Sequence, residues 1–355
     1  MCDMRAPVSL AGVSQVLLSS FLPFIWGTAD NGRIRRVSVK SMQLSSAQLD
    51  EFKAEGALPI QGLIPADILA GWQSQMRAAC TDGVDLGDPD TWPVGRYAPE
   101  GGWPELGPNL YDVDNLQSIV EQLGGDAFAP SHPAGQPWTR QVPMTRVILP
   151  SAPGSEWVAP VDGHLDGYAT GWGGGFMAFF AVLLWDVSSA KGGGTAYWPR
   201  SHLANQRYFL EHPEQFDGSY LFTEPVRSGG HRALLDRDPS VGEVVCMTGR
   251  AGDAMLFHGL TTHVGSTNAA GSQQPRVAQF ARYSHREMRQ QAPMVMFPDK
   301  DGTPWSPPAH TADDPAPATG FLPLDHQGRK LKRYDVPQNL WQYWSPLLGG
   351  SDATT

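Results

Sequence analysis

Apolar and polar positions follow two regimes along this 355-residue chain. The first regime, from about residue 44 to residue 124, has helical spacing. Ser45-Ser46-Ala47-Gln48 has the S-x-x-Q form of a capping box, with Leu49 and Phe52 on the turns that follow and Gly56 as a stop. Ile60 to Pro65 reads as a brief extended segment. Asp67 can cap a second helix, in which Ile68, Leu69, Trp72 and Met76 share a face. Residues 81–110, rich in Gly, Pro and Asp, read as loop. Asp112 to Leu123 predicts a third helix with Val113, Leu116, Ile119, Val120 and Leu123 on one stripe.

After Gly124 the pattern becomes that of short strands. Residues 142–149, 176–187, 194–198, 242–247, 253–257 and 276–283 are apolar or alternating runs bounded by Gly, Pro and Ser. No helical stretches of crossover length separate them, so the pattern predicts an antiparallel sandwich or barrel and excludes a parallel α/β sheet. Residues 286–325 are Pro-rich and are expected to wrap the surface. Val8 to Trp26 is the longest mostly apolar stretch, but Ser, Gln and Pro23 dilute it, and no membrane span is expected. Residues 1–41 read as an extension or leader outside the fold, 42–345 as one domain, and 346–355 as a flexible tail. A cytoplasmic location is expected unless residues 1–41 are a targeting leader. A chain starting at Met42 should keep its melting temperature and metal binding nearly unchanged; a large drop in either would place the extension in the core.

Composition narrows the chemistry. Gly and Pro, 39 and 31 residues, are enriched well above average and disfavour a helical bundle. Twenty-six Lys and Arg against 36 Asp and Glu give a net charge of −10, with no basic stripe for nucleic acid. Three cysteines, Cys2, Cys80 and Cys246, have no CxxC spacing, which argues against a disulfide scaffold, a thiolate zinc site or an iron–sulfur cluster. Cys246 sits in an apolar run and reads as a small core residue.

His164-Leu165-Asp166 is the most informative tripeptide. On a strand, residues two apart point to the same face, so His164 and Asp166 can bind one metal from one side. A third ligand must come from a distant segment, and His263 is the candidate. Two His and one carboxylate on one face make the facial set of non-haem Fe(II) oxygenases. His258 is the rival to His263; five positions separate them, so a regular strand sends them to opposite sides. His202 reads as a structural residue in a turn, bonded to backbone. Arg276 opens the last strong strand, and its guanidinium fork suits a carboxylate. Arg282 shares that face and is the rival carboxylate ligand.

GHLDG (163–167), GGGTAYWPRSHLAN (192–205), GDAMLFHGLTTHVGSTN (252–268) and PRVAQFARY (275–283) resemble the phytanoyl-CoA dioxygenase family. The opening LSSAQLDEFKAEGALPIQGLIP (44–65) and FLPLDHQGRKL (321–331) are similar to that family's start and tail. The resemblance implies a mainly β fold, a cupin-like double-stranded β-helix or jelly roll, with amino-terminal helices packed outside. It implies Fe(II) held by His164, Asp166 and His263, with 2-oxoglutarate as cosubstrate and O2 as oxidant. Arg276 then binds the far carboxylate of 2-oxoglutarate, Thr195 lies near the cosubstrate, and Arg146 lies on a pocket-lining strand. The implied reaction hydroxylates a C–H bond of a small organic substrate and releases succinate and CO2. Two features depart from the family: PRSH (199–202) where PGSH is commoner, and the Gly-rich GWGGGF (171–176). Gly173-Gly174-Gly175 is either a lid hinge or a tight turn. Trp157, Trp172, Trp185 and Trp198 are either packing residues or an aromatic substrate wall. Asp166 argues against a halogenating relative, which needs that position open. A non-catalytic cupin-like binding protein is the alternative from another class.

Overall fold

Ser45 starts the first helix as its capping box predicts. Its side chain accepts from the Gln48 N–H at 3.3 Å, and Gln48 accepts from the Ser45 N–H at 3.0 Å. The computed structural model describes residues 42–125, 128–130, 143–165, 178–211, 238–285, 339–341 and 344–350. Helix α1 (Ser46–Glu55) ends at Gly56 with φ +71°, where a side chain would also meet the His202 ring. Helix α2 (Ala66–Ala78) begins without the expected Asp67 cap: Pro65 occupies the cap position, and Asp67 lies in the first turn, where a carboxylate favours the helix dipole. Helix α3 (Asp114–Gly124) starts two residues later than expected. Asn109 accepts from the Tyr111 N–H and caps a separate 3₁₀ turn, Leu110–Asp112, ahead of it.

Among the described residues there are ten strands: β1 (Ala57–Ile60), β2 (Arg96–Tyr97), β3 (Phe128–Pro130), β4 (Met144–Ile148), β5 (Ala178–Leu183), β6 (Thr195–Tyr197), β7 (Val245–Cys246), β8 (Ala254–His258), β9 (His263–Gly265) and β10 (Arg276–His285). The large sheet runs β1-β8-β5-β10-β4-β2, with β3 also paired to β10; the small sheet runs β7-β6-β9. Every strand pair is antiparallel, as the crossover-free pattern requires. The fold is mainly β with a few helices.

The large sheet is buried on both faces, which explains why β5 reads as a continuous apolar run. Phe180 and Val182 face an outer core with Phe52, Trp72, Met76, Leu116 and Ile119 from the three helices. Phe179, Ala181 and Leu183 face an inner core with Met255, Phe257, Ala278 and Phe280. The helices therefore cover one face, and the other is left to form a site.

Helix α4 (Ser201–Glu211) was not expected, because its buried face is polar. His202 sits in its first turn rather than in a loop. Ser201 accepts from the Thr262 N–H, and Asn205 donates to the Leu260 carbonyl and the Thr262 hydroxyl. The predicted extended segment at Ile60–Pro65 gives way to β1, which ends at Ile60. At the chain end Pro346–Leu348 form a 3₁₀ turn that buries Leu348, while Pro346, Leu347 and Gly349 stay exposed. Residues 286–325, and the lid or turn at Gly173–Gly175, lie outside the described residues.

Two buried histidines give the fold an acid sensitivity. The pKa of His202 is lowered to about 4, by burial first, against the hydrogen bond its Nε2 donates to the Lys53 carbonyl, which opposes the shift. Burial and then the neighbouring His202 push His258 well below its usual range. The unfolded chain takes up these protons near pH 6.5, and the folded chain does not until lower pH. The contribution is complete above pH 6.5 and is lost as pH falls toward 4, by roughly 3 kcal/mol for His202 alone. Thermal melts between pH 7.5 and 4.5 should show a falling Tm; a flat profile would contradict this.

Candidate active site

His263 is fixed before any ligand arrives. The two residues ahead of it are buried and bonded: Thr261 donates to the Gly56 carbonyl at 2.6 Å, and Thr262 is held by Ser201 and Asn205 of α4. His263 itself is 5% exposed, with its ring 4.4 Å from that of Phe179. Its Nδ1 lies 3.0 Å from the Thr261 carbonyl. A carbonyl only accepts, so Nδ1 carries the proton and Nε2 the lone pair. This is the outer bond that orients metal-binding histidines.

His164 is brought to it by backbone pairing. The two residues exchange hydrogen bonds, His164 N–H to His263 O at 2.9 Å and the reverse at 3.1 Å. Their ring centroids are 4.7 Å apart. Gly163 makes this approach possible: a Cβ there would lie 2.8 Å from the Trp198 ring and 3.0 Å from the His263 carbonyl. Asp166 lies outside the described residues. Among the described residues no group of three His, Cys, Asp or Glu side chains gathers as a metal site.

The rival histidine is on the other side of the sheet. His258 stacks on Trp344 at 5.2 Å, with Trp341 at 5.1 Å and His202 at 5.5 Å, among the outer core. The two histidines do not share a strand, as the five-residue spacing assumed: His258 ends β8 of the large sheet and His263 opens β9 of the small one. His202 is bonded to backbone as expected. His231, His310 and His326 lie outside the described residues, as does the side chain of His285.

Arg276 faces the histidines from the large sheet. It is 2% exposed, and its Nη2 donates to the Thr195 hydroxyl at 3.1 Å. Its Nε has no hydrogen-bond partner. Burial lowers it to about 10, with the charges of Arg146 and Arg96 adding to the effect. A buried cation pressed by other cations, with a donor unspent, is a place for an anion. Arg282 shares the face but sits at the other end of β10, where it approaches the Met144 sulfur.

His164, His263, Thr195, Arg276 and Arg282 all line one cavity of about 380 Å³. Arg96, Arg146, Met144, Ile148 and Phe280 complete most of its wall. Arg96 was missed in the sequence, because a two-residue strand inside a Gly- and Pro-rich loop shows no alternation. Among the described residues no tryptophan is in the lining. Trp157 instead donates to the Thr267 carbonyl, Trp185 lies under Arg77, and Trp198 is buried beside Gly163. Trp172 lies outside the described residues. Cys246 is buried in the small sheet, as its apolar run suggested.

The donor set fits an iron centre with a dicarboxylate beside it: two imidazoles side by side, one with its lone pair on Nε2, opposite a buried guanidinium with an unspent N–H. The chain belongs to the phytanoyl-CoA dioxygenase (PhyH) family, which its sequence matches over residues 52–278. It is thus an Fe(II)- and 2-oxoglutarate-dependent type of enzyme. No curated protein matches the sequence. Among solved structures it is similar to the 2-oxoglutarate-dependent epimerase SnoN from nogalamycin biosynthesis, at 18% identity and TM-score 0.41, covering 73% of this chain and 94% of that one. It is also similar to HygX from Streptomyces hygroscopicus with nickel, 2-oxoglutarate and hygromycin B bound, at 19% identity and TM-score 0.41, covering 82% and 98%. EctD from S. alaskensis with 2-oxoglutarate and 5-hydroxyectoine matches at 17% identity and TM-score 0.40, covering 68% and 76%. Among the described residues no helix is long and apolar enough to cross a membrane.

Proposed function

We propose that this protein is a hydroxylase built on a double-stranded β-helix spanning residues 42–345, with His164, Asp166 and His263 as iron ligands and Arg276 and Thr195 as the 2-oxoglutarate clamp. Iron(II) bound there supplies the oxidative chemistry: with 2-oxoglutarate and O2 it converts a substrate C–H to C–OH, yielding succinate and CO2. The protein's own part is placement. Nε2 of His263 is aimed by the Thr261 carbonyl, and His164 is held beside it by the backbone bridge. Asp166, two residues on, supplies the negative charge that offsets part of the metal's. Phe179 and Phe257 pack the inner side of His263 and keep water from it.

One observation carries the cosubstrate assignment. In the small sheet Thr195 pairs with Gly265, and Tyr197 with His263. The Arg276–Thr195 contact is therefore one two-residue step from the histidine, about 7 Å along the strand. A five-carbon dicarboxylate spans that gap with one end at each. Arg282 approaches the Met144 sulfur on β4 of the large sheet instead. Equilibrium dialysis tests this: one Fe(II) per chain, and 2-oxoglutarate binding that tightens when metal is present. Binding of 2-oxoglutarate that ignores metal would overturn the assignment.

A further inference from the structure

We propose that Ser201 and Asn205 of α4 are positioning residues for the metal site: they hold the turn before His263 so that its imidazole keeps one tautomer and one aim. The proposal rests on the reading of His263 as an iron ligand.

The turn has to be held because it changes sheets. β8 ends at His258 in the large sheet, and β9 opens at His263 in the small one. Leu260, Thr261 and Thr262 between them are buried, so their backbone groups need protein partners. Each of those groups has one. The Leu260 N–H donates to His258 Nδ1 at 3.0 Å, and the Thr261 N–H donates to the His258 carbonyl at 2.8 Å. The Thr262 carbonyl accepts from the Trp198 N–H at 3.1 Å. The other three bonds belong to α4 and to His263. Asn205 Nδ2 donates to the Leu260 carbonyl at 2.8 Å, and the Thr262 N–H donates to Ser201 Oγ at 2.9 Å. The Thr261 carbonyl accepts from His263 Nδ1 at 3.0 Å.

The Ser201 and His263 bonds share one peptide unit. The C=O of Thr261 and the N–H of Thr262 lie in a single stiff plane and point in opposite directions. Ser201 therefore grips the far edge of the plate whose near edge faces the imidazole. If the far edge is released, the plane can rotate and swing its carbonyl away from Nδ1. Asn205 lies four residues along the same helix face. It steadies the neighbouring peptide unit through the Leu260 carbonyl and holds the Thr262 hydroxyl at 2.9 Å. Loss of the Thr261 acceptor lets the proton move to Nε2 in part of the molecules, which removes the lone pair that binds metal.

Two local costs gather at the start of α4, as expected where placement matters more than stability. Arg200, just ahead of the helix, has φ +64°, in the left-handed region that side-chain-bearing residues rarely adopt. Its N–H donates to the Glu55 carbonyl at 2.9 Å and its Nε to the Ser240 carbonyl, and these bonds hold it there. Asn205 Oδ1 is buried with no hydrogen-bond partner among the described residues, while Nδ2 makes both of its bonds to the turn.

Two measurements on the full chain test this. One is the ring tautomer of His263 in metal-free protein, read from long-range proton–nitrogen correlations of isotopically labelled histidine. The other is the affinity for Ni(II), measured by calorimetry. The ring signal missing from His263→Ala identifies the residue. Wild type should show the Nδ1–H tautomer. Ser201→Ala removes a single acceptor, and Asn205→Leu keeps the volume but removes the donors. Each should show a mixture with the Nε2–H tautomer and bind Ni(II) about tenfold more weakly, the low end of what outer partners of metal ligands contribute. If one variant fails to fold, the other carries the test. Phe209→Leu is the control, because Phe209 lies on the same helix with its ring buried in the outer core. It should lower Tm yet keep the wild-type tautomer and a Ni(II) affinity within twofold of wild type. A pure Nδ1–H tautomer in both α4 variants overturns the proposal. So does a loss of Ni(II) affinity in Phe209→Leu equal to theirs, which would make α4 a structural helix only. Failure of the ligand reading looks different: His263→Ala then keeps wild-type Ni(II) affinity, and the tautomer in metal-free Ser201→Ala still decides whether α4 positions the ring.

Discussion

His164→Ala and His263→Ala are each expected to lower 2-oxoglutarate turnover by more than about a hundredfold, because outer partners of metal ligands alone are worth ten- to a hundredfold. The two side chains act as one unit, joined by a reciprocal backbone bridge with rings 4.7 Å apart. Removing either leaves an incomplete set, and Asp166→Ala should join them. His258→Ala should behave in the opposite way. Its ring stacks on Trp344 in the outer core and never reaches the cavity. That variant should lose about 2–4 kcal/mol of stability, as a truncated buried ring does, and keep its turnover. Parallel measurement of succinate formation and thermal melting separates the two cases. Loss of turnover in His258→Ala with turnover kept in His263→Ala would reverse the assignment of faces.

Arg276→Ala should raise the KM for 2-oxoglutarate by about ten- to a hundredfold. A charge-assisted hydrogen bond contributes roughly 1.5–3 kcal/mol, which converts to that range. Iron binding should stay intact, because the partner of Arg276 is Thr195 rather than a histidine. Arg276→Lys should recover part of the loss through charge but not through the fork. Arg282→Ala should leave the KM near wild type. Steady-state kinetics with varied 2-oxoglutarate decides between them, and the reverse result would move the clamp to the far end of β10.

Much of this was legible in the sequence where local chemistry and tertiary packing agree. The Ser45 capping box, the Gly56 stop and the α3 stripe are local devices, and they appear as read. The alternation along Arg276–Tyr283 put Arg276, Phe280 and Arg282 on one face, and all three line the cavity. The separation of His258 from His263 came not from strand period but from the turn at 259–262, which carries the chain from β8 of the large sheet to β9 of the small one. Other elements depend on partners far along the chain. Helix α4 buries Ser201, His202 and Asn205, which satisfy the loop before His263, so it lacks an apolar stripe. Strands β2 and β9 are two and three residues long and exist through their pairing with β4 and β6. Arg96 reaches the cavity only through that pairing. Leu348, within the stretch read as a tail, is buried as part of the outer core.

The histidine pair and Arg276 are expected to hold one metal and one 2-oxoglutarate. Conversion of 2-oxoglutarate to succinate by purified protein with Fe(II) and O2, in wild type beside His164→Ala, His263→Ala and Arg276→Ala, tests this. Wild type should give metal-dependent succinate, both histidine variants only background, and the Arg276 variant should recover at high 2-oxoglutarate. Wild-type protein that binds iron yet forms no succinate at any 2-oxoglutarate concentration, or histidine variants as active as wild type, would contradict it and favour a cupin-like binding protein.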